Sequence, residues 1–302
     1  MRRHLKIAIV TIGCSVLLLG ARSGAGPSLQ FTSFDFPGAA TTTAFGINSE
    51  GDVVGGYKDA QGKRHGFLLR GGNFTSIDFP GAMATDARGI NPDGDIVGSY
   101  TNSPGGPRNI HGYLLSNGEF STVQFPGHLG TIAQRISPEG TIVGCLHDTD
   151  TMRTMHGFVL QNGNYSANPV PFTMNNGITP GGGKIVGLEN DSSSGYLLEN
   201  GAVASRIQFP DSAFTDAWDI NAAGEVVGEY QDQTANPTIH GYLLTGGKYT
   251  SIDFPGAGLT WANGINDRGE IVGFYHDSAG GQHAFLFRSH GQQVTAMAAC
   301  KQ

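Results

Sequence analysis

Short apolar runs alternate with glycine-rich turns along almost the whole chain. The stretch GINPDGDIVGSY, residues 89–100, has an apolar segment on each side of a turn, and similar sequences recur as GINSEGDVVGGY and GINDRGEIVGFY. In an extended strand, Ile96 and Tyr100 fall on one side and Val97 falls on the other. Because both sides are apolar, the pattern predicts a strand that is buried on both faces.

The turn inside this stretch has a recognisable chemistry. In NPDG, Pro92 fixes the φ angle of the second position, and Gly94 accepts a positive φ angle at which a β-carbon would clash. Glycine stands at the same place in four further copies, at positions 51, 140, 224 and 269. The pattern predicts tight hairpins with loops of three to four residues.

The hairpin is one part of a longer repeat. The isoleucine that anchors it recurs at intervals of 42 to 46 residues, at Ile47, Ile90, Ile136, Ile178, Ile220 and Ile265. HGFLL and its relatives occur six times, and FTSIDFPG and its relatives occur seven times. Each unit of about 43 residues therefore contains four short strands, which is typical of a propeller blade.

These repeats predict an all-β fold, a six-bladed β-propeller of four-stranded blades. We expect one domain at residues 27–298, followed by a short tail at 299–302. The spare copy of the fourth strand, Phe31–Phe36, can complete the last blade and close the ring, and Gln292–Met297 is a second candidate for that place. An open solenoid would need distinct end caps, which the sequence lacks.

The first 25 residues differ from the rest of the chain. A basic start, MRRHLK, precedes an apolar run at 7–19, and small residues follow at 20–25. This order predicts a secretory signal peptide, residues 1–25, that is cleaved near Ala21–Ala25. The alternative is a membrane anchor, which would need about 20 apolar residues. We therefore expect a secreted, periplasmic or cell-surface protein.

Charge and cysteine content narrow the range of partners. The formal net charge is −7 at pH 7, and removal of the first 25 residues, with four basic and no acidic residues, leaves −11. Such a chain repels phosphate backbones and anionic lipid, so we expect no nucleic-acid partner. We also expect a monomer, with no membrane span after cleavage of the signal peptide. Whether Cys145 and Cys300 form a disulfide stays open.

Histidine and aspartate recur in step with the repeat. Because a group present in nearly every blade does not make a unique active site, we interpret them as structural residues that hydrogen-bond neighbouring strands or loops. Asp59, one loop before His65, is a candidate partner within a blade. The structural residues are His65, His111, His156, His240, His283, Asp35, Asp78 and Asp253. No nucleophile or metal-ligand motif is present, so we predict neither a cofactor nor a metal.

Residues that break the repeat are better candidates for function. The position two before the repeated isoleucine varies freely, and the next position is glycine in four blades but Arg135 and Asp219 in the others. We expect these positions at the start of the innermost strand, near the mouth of the central channel on the face with the variable loops. Trp261 is expected in the connection that enters the last blade.

Aromatic rings beside scattered polar groups suit a sugar or a peptide, although the same residues would also serve simply to fill the channel. The candidate ligand-binding residues are Phe45, Arg88, Gln134, Arg135, Asp216, Trp218, Asp219 and Trp261.

The combination A…GIN..G.IVG…HAFL…G resembles a bacterial family, the probable extracellular repeat or HAF family. The letters that give the family its name stand at His283, Ala284 and Phe285, and the resemblance covers residues 30 to about 298. It implies a secreted or surface β-propeller-like protein of uncharacterised role, and it brings no catalytic residues.

The function expected from these features is that of a non-enzymatic binding or interaction propeller, with polysaccharide or another extracellular molecule as its ligand. Two alternatives remain. One is a glycan-cleaving hydrolase or lyase with Asp216, Asp219 and Glu229 as its acids, which would need paired carboxylates about 5 to 10 Å apart at the channel mouth. The other is a structural surface or adhesion protein.

Overall fold

Six sheets, each of four antiparallel strands, form the part of the chain that the computed structural model describes, namely residues 30–103, 109–147, 155–168 and 170–288. This is the predicted all-β, six-bladed propeller. The segments 1–25 and 292–297 and Cys300, on which further predictions depend, lie outside the described residues. Among the described residues, no helix has the length and apolar character needed to cross a bilayer.

The strands of blades one to three, from the first to the fourth strand of each blade, are β2 (Thr41–Ile47), β3 (Val53–Lys58), β4 (Arg64–Arg70) and β5 (Asn73–Ile77); β6 (Ala84–Ile90), β7 (Ile96–Thr101), β8 (Ile110–Ser116) and β9 (Glu119–Val123); and β10 (Gly130–Ile136), β11 (Ile142–His147), β12 (His156–Gln161) and β13 (Asn164–Ala167).

The strands of blades four to six, in the same order, are β14 (Thr173–Ile178), β15 (Lys184–Glu189), β16 (Ser194–Glu199) and β17 (Ala202–Ile207); β18 (Phe214–Ile220), β19 (Val226–Gln231), β20 (Ile239–Thr245) and β21 (Lys248–Ile252); and β22 (Leu259–Ile265), β23 (Ile271–His276), β24 (Gln282–Arg288) and β1 (Gln30–Phe34). Two short 3-10 turns, Pro180–Gly182 and Asn190–Ser192, interrupt blade four.

The first strand of each blade lines the centre of the ring. Each first strand contacts the first strand of the next blade, from β2 and β6 around the ring to β22 and back to β2. The second strands are buried on both faces, as the alternation of apolar residues predicts, and β7 is buried at five of its six positions. Cys145 in the second strand of blade three is a free, buried cysteine.

A glycine in the second strand of each blade lets an aromatic ring of the third strand lie directly on it. A β-carbon on Gly55 would overlap the carbonyl oxygen of Thr43 and would come within 2.5 Å of the Phe67 ring. This close contact lies within the blade, between its first three strands.

The repeated FPG segment fastens each connection to the blade that follows. The backbone N–H of Phe36 donates to Thr42 Oγ1 at 3.0 Å, and the Phe36 ring stacks on Tyr57 at a centroid distance of 3.7 Å. Tyr57 in turn stacks on His65. Phenylalanine stacks on tyrosine in the same way in three other blades, with centroids 3.6 to 3.7 Å apart, in the pairs Phe79–Tyr100, Phe209–Tyr230 and Phe254–Tyr275.

The repeated histidines lie between two carboxylates in three blades. Each ring nitrogen faces one carboxylate oxygen, at distances of 2.6 to 3.4 Å, in the groups Asp59–His65–Asp78, Asp232–His240–Asp253 and Asp277–His283–Asp35. In blade two His111 instead pairs with Gln124 at 2.9 Å, and in blade three His156 begins β12. We call each three-residue group an Asp–His–Asp clasp.

The N-terminal strand completes the last blade, as predicted. β1 pairs with β24 in a continuous antiparallel register from Gln30↔Arg288 to Phe34↔Ala284. The Phe31 ring packs against the rings of Phe254, Phe285 and Phe287. The clasp of His283 with Asp35 joins the same two ends of the chain, so one polar and one apolar contact hold the ring closed.

Asp35→Asn is expected to weaken ring closure in a pH-dependent way. Burial lowers the pKa of His283, but its hydrogen bonds to Asp35 and Asp277 outweigh burial and raise the pKa above its usual value. The stabilisation is therefore present below about pH 6.5 and is lost as the pH rises through the raised pKa. We expect the variant to lower the melting temperature by about 1–3 °C at pH 6 and by less at pH 9.

The matched control is Asp253→Asn, which removes the same contact within blade five, where no chain end is involved. Hydrogen exchange separates the two variants, because only Asp35→Asn should speed the exchange of amides in β1. An equal loss of melting temperature at both pH values would contradict the assigned role of His283.

Candidate functional site

Every inner strand has a β-bulge at the variable position of the repeat. In blade one the register shifts between Ala44 and Gly46, which leaves Phe45 as the extra residue. The extra residues in the other blades are Arg88, Gln134, Asn176, Trp218 and Asn263. The prediction that these residues lie where the inner strand begins was wrong, because each is the third residue from its end, inside the channel. A bulge redirects side chains in a way that strict alternation does not reveal.

Arg135 occupies the axis of the ring. From blade three, its guanidinium donates hydrogen bonds to the carbonyl oxygens of Arg88 in blade two and Phe45 in blade one, each at 2.8 Å, and also to that of Asn263 in blade six. Its Nε lies 3.2 Å from a carboxylate oxygen of Asp219 in blade five. A single side chain thus connects five of the six blades.

Asp219 completes this axial ion pair. Its carboxylate accepts backbone hydrogen bonds from Ile220 at 3.0 Å and from Ile265 at 3.2 Å. Burial raises the pKa of Asp219, and the Arg135 guanidinium opposes that rise. Blade four has glycine at this level, and a β-carbon on Gly177 would lie only 2.7 Å from Asp219 Cα. The glycines of four blades leave room for the two side chains.

The axial pair divides the channel into two halves. On the face with the tight turns, a depression has Arg135 and Asp219 among its lining residues, with the six repeated isoleucines around them. Asparagines of the turns link neighbouring blades there, because Asn48 Nδ2 donates to Asn91 O at 3.1 Å and Asn266 Nδ2 donates to Asn48 O at 2.9 Å. These are the constant residues of the repeat, which indicates a packing role.

The other half of the channel, on the face with the variable loops, contains the residues that differ between blades. Several are partly exposed although the alanines beside them in the same strands are fully buried, which shows that this half is open to solvent. We call it the loop-side chamber and define it by Phe45, Arg88 and Trp218 at the bulges and by Asp86, Ile132, Met174 and Trp261 nearer the loops.

One wall of the chamber is basic and aromatic. The Arg88 guanidinium carbon lies 5.1 Å from the centre of the Phe45 ring, and its Nη1 donates to Gln134 Oε1 at 3.1 Å. Burial lowers the pKa of Arg88, and the charge of Asp86, which is 3.7 Å away, opposes this effect. Asp86 also forms an ion pair with Arg64 at 2.9 Å.

The opposite wall contains two buried carboxyl groups. Asp216 and Glu229 face each other across β18 and β19, where β-carbons are about 5 Å apart, and they are 2% and 8% exposed. Burial raises the pKa of Asp216 to about 8, and burial together with the charge of Asp216 raises that of Glu229. Among the described residues, neither carboxyl has an ion-pair partner.

The donors around this pair come from the repeat-breaking positions. Asn176 Nδ2 donates to Asp216 Oδ1 at 3.1 Å, and the indole N–H of Trp218 donates to Glu229 Oε2. Trp261 lies in β22, not in the preceding connection as predicted, and its indole stacks on Phe274 with ring centroids 4.4 Å apart.

Asn176 lies at the variable position of blade four, although the sequence analysis did not select it as a ligand contact. It is fully buried, and its Oδ1 has no hydrogen-bond partner within the described part of the chain. Tyr242 Oη is also buried without a partner there, but the Tyr242 side chain lies on the other face of the sheet, because Tyr242 pairs with Gly228 whereas Glu229 pairs with Gly241.

The comparisons with known proteins concern the fold. No protein-family model and no curated protein matches the chain. A variant of the Aleuria aurantia lectin in complex with Fucα1-6GlcNAc has a TM-score of 0.51 at 12% identity, covering 83% of this chain and 95% of that one. A putative TolB from Agrobacterium tumefaciens has a TM-score of 0.51 at 13% identity, covering 78% and 79%.

A third solved structure, the hydrazine synthase of Kuenenia stuttgartiensis, has a TM-score of 0.50 at 13% identity, covering 85% of this chain and 80% of that one. At identities this low, the similarities show the propeller fold and assign no family. They include a lectin and a synthase, so the choice among functions depends on the residues of the channel.

Replacing both members of the axial pair by glycine is expected to cost less stability than the two single changes together. Arg135→Gly leaves Asp219 as a buried, unpaired charge, a defect that costs about 3–5 kcal/mol. The double variant has glycine at this level in all six blades, as four blades already have. We expect a coupling free energy of at least about 1 kcal/mol between the two sites, measured by chemical denaturation of all four proteins. Strictly additive losses would show that the pair does not act as a unit.

Proposed function

We propose that this protein is a glycan-binding propeller that acts outside the cytoplasm, and that the glycan binds in the loop-side chamber. The observation that carries the proposal is the convergence of Trp218, Trp261 and Phe45 with Arg88 and two carboxyl groups in one solvent-accessible half of the channel. All of these residues stand where the repeat is broken.

The chemistry of the chamber matches that of a sugar. A pyranose presents flat faces of C–H groups and a rim of hydroxyl groups, so it needs aromatic surfaces for its faces and fixed polar groups for its rim. Trp218 and Trp261 are both partly exposed, and Asp86 and Arg88, which are also partly exposed, supply polar groups. The lectin with the same fold, solved with Fucα1-6GlcNAc, supports the proposal as a precedent for sugar binding on a propeller.

Tryptophan fluorescence tests this proposal directly, because the chain has two tryptophans and both lie in the chamber. We expect hits from a glycan array to change the emission of the purified protein in a saturable way. Trp218→Phe and Trp261→Phe should each retain part of the change, and Trp218→Ala should weaken binding at least about tenfold, which corresponds to 1.4 kcal/mol.

The matched control is Val203→Ala, which trims an exposed apolar side chain on the outer strand β17, far from the chamber. It should bind as the wild type does. If no array glycan binds, or if Trp218→Ala binds with unchanged affinity while remaining folded, the proposal is wrong.

One observation favours a second candidate function, cleavage of the bound glycan. Asp216 and Glu229 form the pair of facing carboxyls that a glycan hydrolase or lyase would need, and the raised pKa of Asp216 would keep it protonated as a general acid near neutral pH. The pair is buried in the channel wall instead of standing at its mouth.

Turnover assays on the same glycans decide between the two functions. An enzyme would release reducing ends, and both Asp216→Asn and Glu229→Gln would reduce that rate by at least about 100-fold. Binding with no product after prolonged incubation would remove the enzymatic candidate and leave the binding function intact.

A further inference from the structure

We propose that the Asp216–Glu229 wall of the loop-side chamber binds a protonated amine, so that the preferred glycan contains amino sugars with free amino groups. This inference rests on the proposed glycan-binding function and names the chemical class of the ligand. Four features of the wall support it: its charge balance, its hydrogen-bond inventory, its aromatic neighbour and its proton content.

The first feature is the absence of a cation that balances the carboxyl pair. The arginines of the channel are already paired, since Arg88 and Arg64 face Asp86 and Arg135 faces Asp219. Within the described residues, no arginine, lysine or histidine lies within ion-pair distance of Asp216 or Glu229. Two buried carboxyls without a partner are costly, and a cationic ligand would remove that cost.

The second feature is the kind of hydrogen-bonding groups that remain open. The two donors of the wall are already used, because the Asn176 amide donates to Asp216 and the Trp218 indole donates to Glu229. The buried atom of this wall that has no partner within the described residues is Asn176 Oδ1, which can only accept. Together with the carboxyl oxygens, it forms a set rich in acceptors.

An ammonium group fits this set. It has three N–H donors and no acceptor, so it can satisfy a carboxylate and an amide oxygen at once, whereas a sugar hydroxyl brings one donor only. The two carboxyls supply too few ligands for calcium, which takes six to eight oxygens, and no group of three or more His, Cys, Asp or Glu within the described ranges could hold a metal ion.

The third feature is the indole of Trp218. Its N–H is directed at Glu229, which brings the ring beside the carboxyl pair, and the side chain is partly exposed to the chamber. A cation over an indole face is attracted to the ring by a cation–π interaction. A neutral acetamido group at the same place would lack this attraction and would also lack the charge.

The fourth feature is the proton content of the pair, which makes amine binding depend on pH. Because burial raises the pKa of Asp216 to about 8, the pair carries bound protons near neutral pH. The charge of Asp216 contributes to the raised pKa of Glu229, so the two carboxyls titrate as a pair. An arriving ammonium favours the ionised pair, so a ligand that is already protonated should release protons from the pair when it binds.

The test compares chitosan oligosaccharides, which have free amino groups, with their fully N-acetylated forms and with neutral cello-oligosaccharides of the same length. Binding is followed by tryptophan fluorescence and by calorimetry in two buffers that differ in ionisation enthalpy. We expect the wild type to bind the free-amine form at least about tenfold more tightly than the acetylated form, with proton release.

The matched variants are Asp216→Asn and Glu229→Gln, which keep the shape of each side chain and remove its charge. Each should reduce the preference for the free-amine form over the acetylated form to less than about threefold. Glu119→Gln, a change at an exposed carboxylate of the outer strand β9, should leave the preference intact.

Each outcome has a defined meaning. Equal affinity for the free-amine and acetylated forms would overturn the amine inference but leave glycan binding standing, whereas binding of no oligosaccharide at all would overturn both. A fluorescence response to millimolar calcium alone that Asp216→Asn abolishes would assign the wall to a metal instead. If the variants do not fold, the preference of the wild type and its proton release decide the question by themselves.

Discussion

Six strands converge on the axis of this ring, and the space between them accepts two side chains at the level of Arg135 and Asp219. The ion pair between those residues closes the channel. The Arg135 guanidinium also donates hydrogen bonds to backbone carbonyl oxygens of neighbouring blades that would otherwise have no partner at the axis. Because blades three and five alone supply side chains at this level, six nearly equal units become a molecule with a distinct orientation about its axis. The depth of the loop-side chamber follows from the same pair, which lies at its base.

Most of the fold follows from local rules that can be read from the sequence. The positions of Gly94 and its equivalents determine the hairpins, the alternation around Ile96 and Val97 determines burial on both faces, and the spare copy at Phe31 determines how the ring closes. The candidate site could be predicted from the sequence less completely. A bulge moves Phe45 and Trp218 deep into the channel, and the alternation of apolar and polar residues does not predict a bulge. The contacts of Arg135 with blades one, two, five and six also depend on ring geometry that no single repeat contains.

The two kinds of position in each repeat have separate roles. Recurring residues, such as Phe36 with Tyr57, attach the connection to its blade in four of the six blades. Variable residues, such as Arg88 and Trp218, lie at the bulges, where their side chains can change without disturbing the sheets. Because of this separation, the polarity of the chamber is more informative about function than the overall shape.

The position of β1 in the last blade has a consequence for how the protein is made. His283, the clasp partner of Asp35 beside β1, follows 248 residues later in the chain, so β1 is synthesised long before the strand with which it pairs. Until β24 is made, the growing chain is an open arc whose exposed sheet edges can pair with a neighbouring chain. Folding after β24 has been synthesised avoids that hazard, because β1 then finds its partner within the same chain.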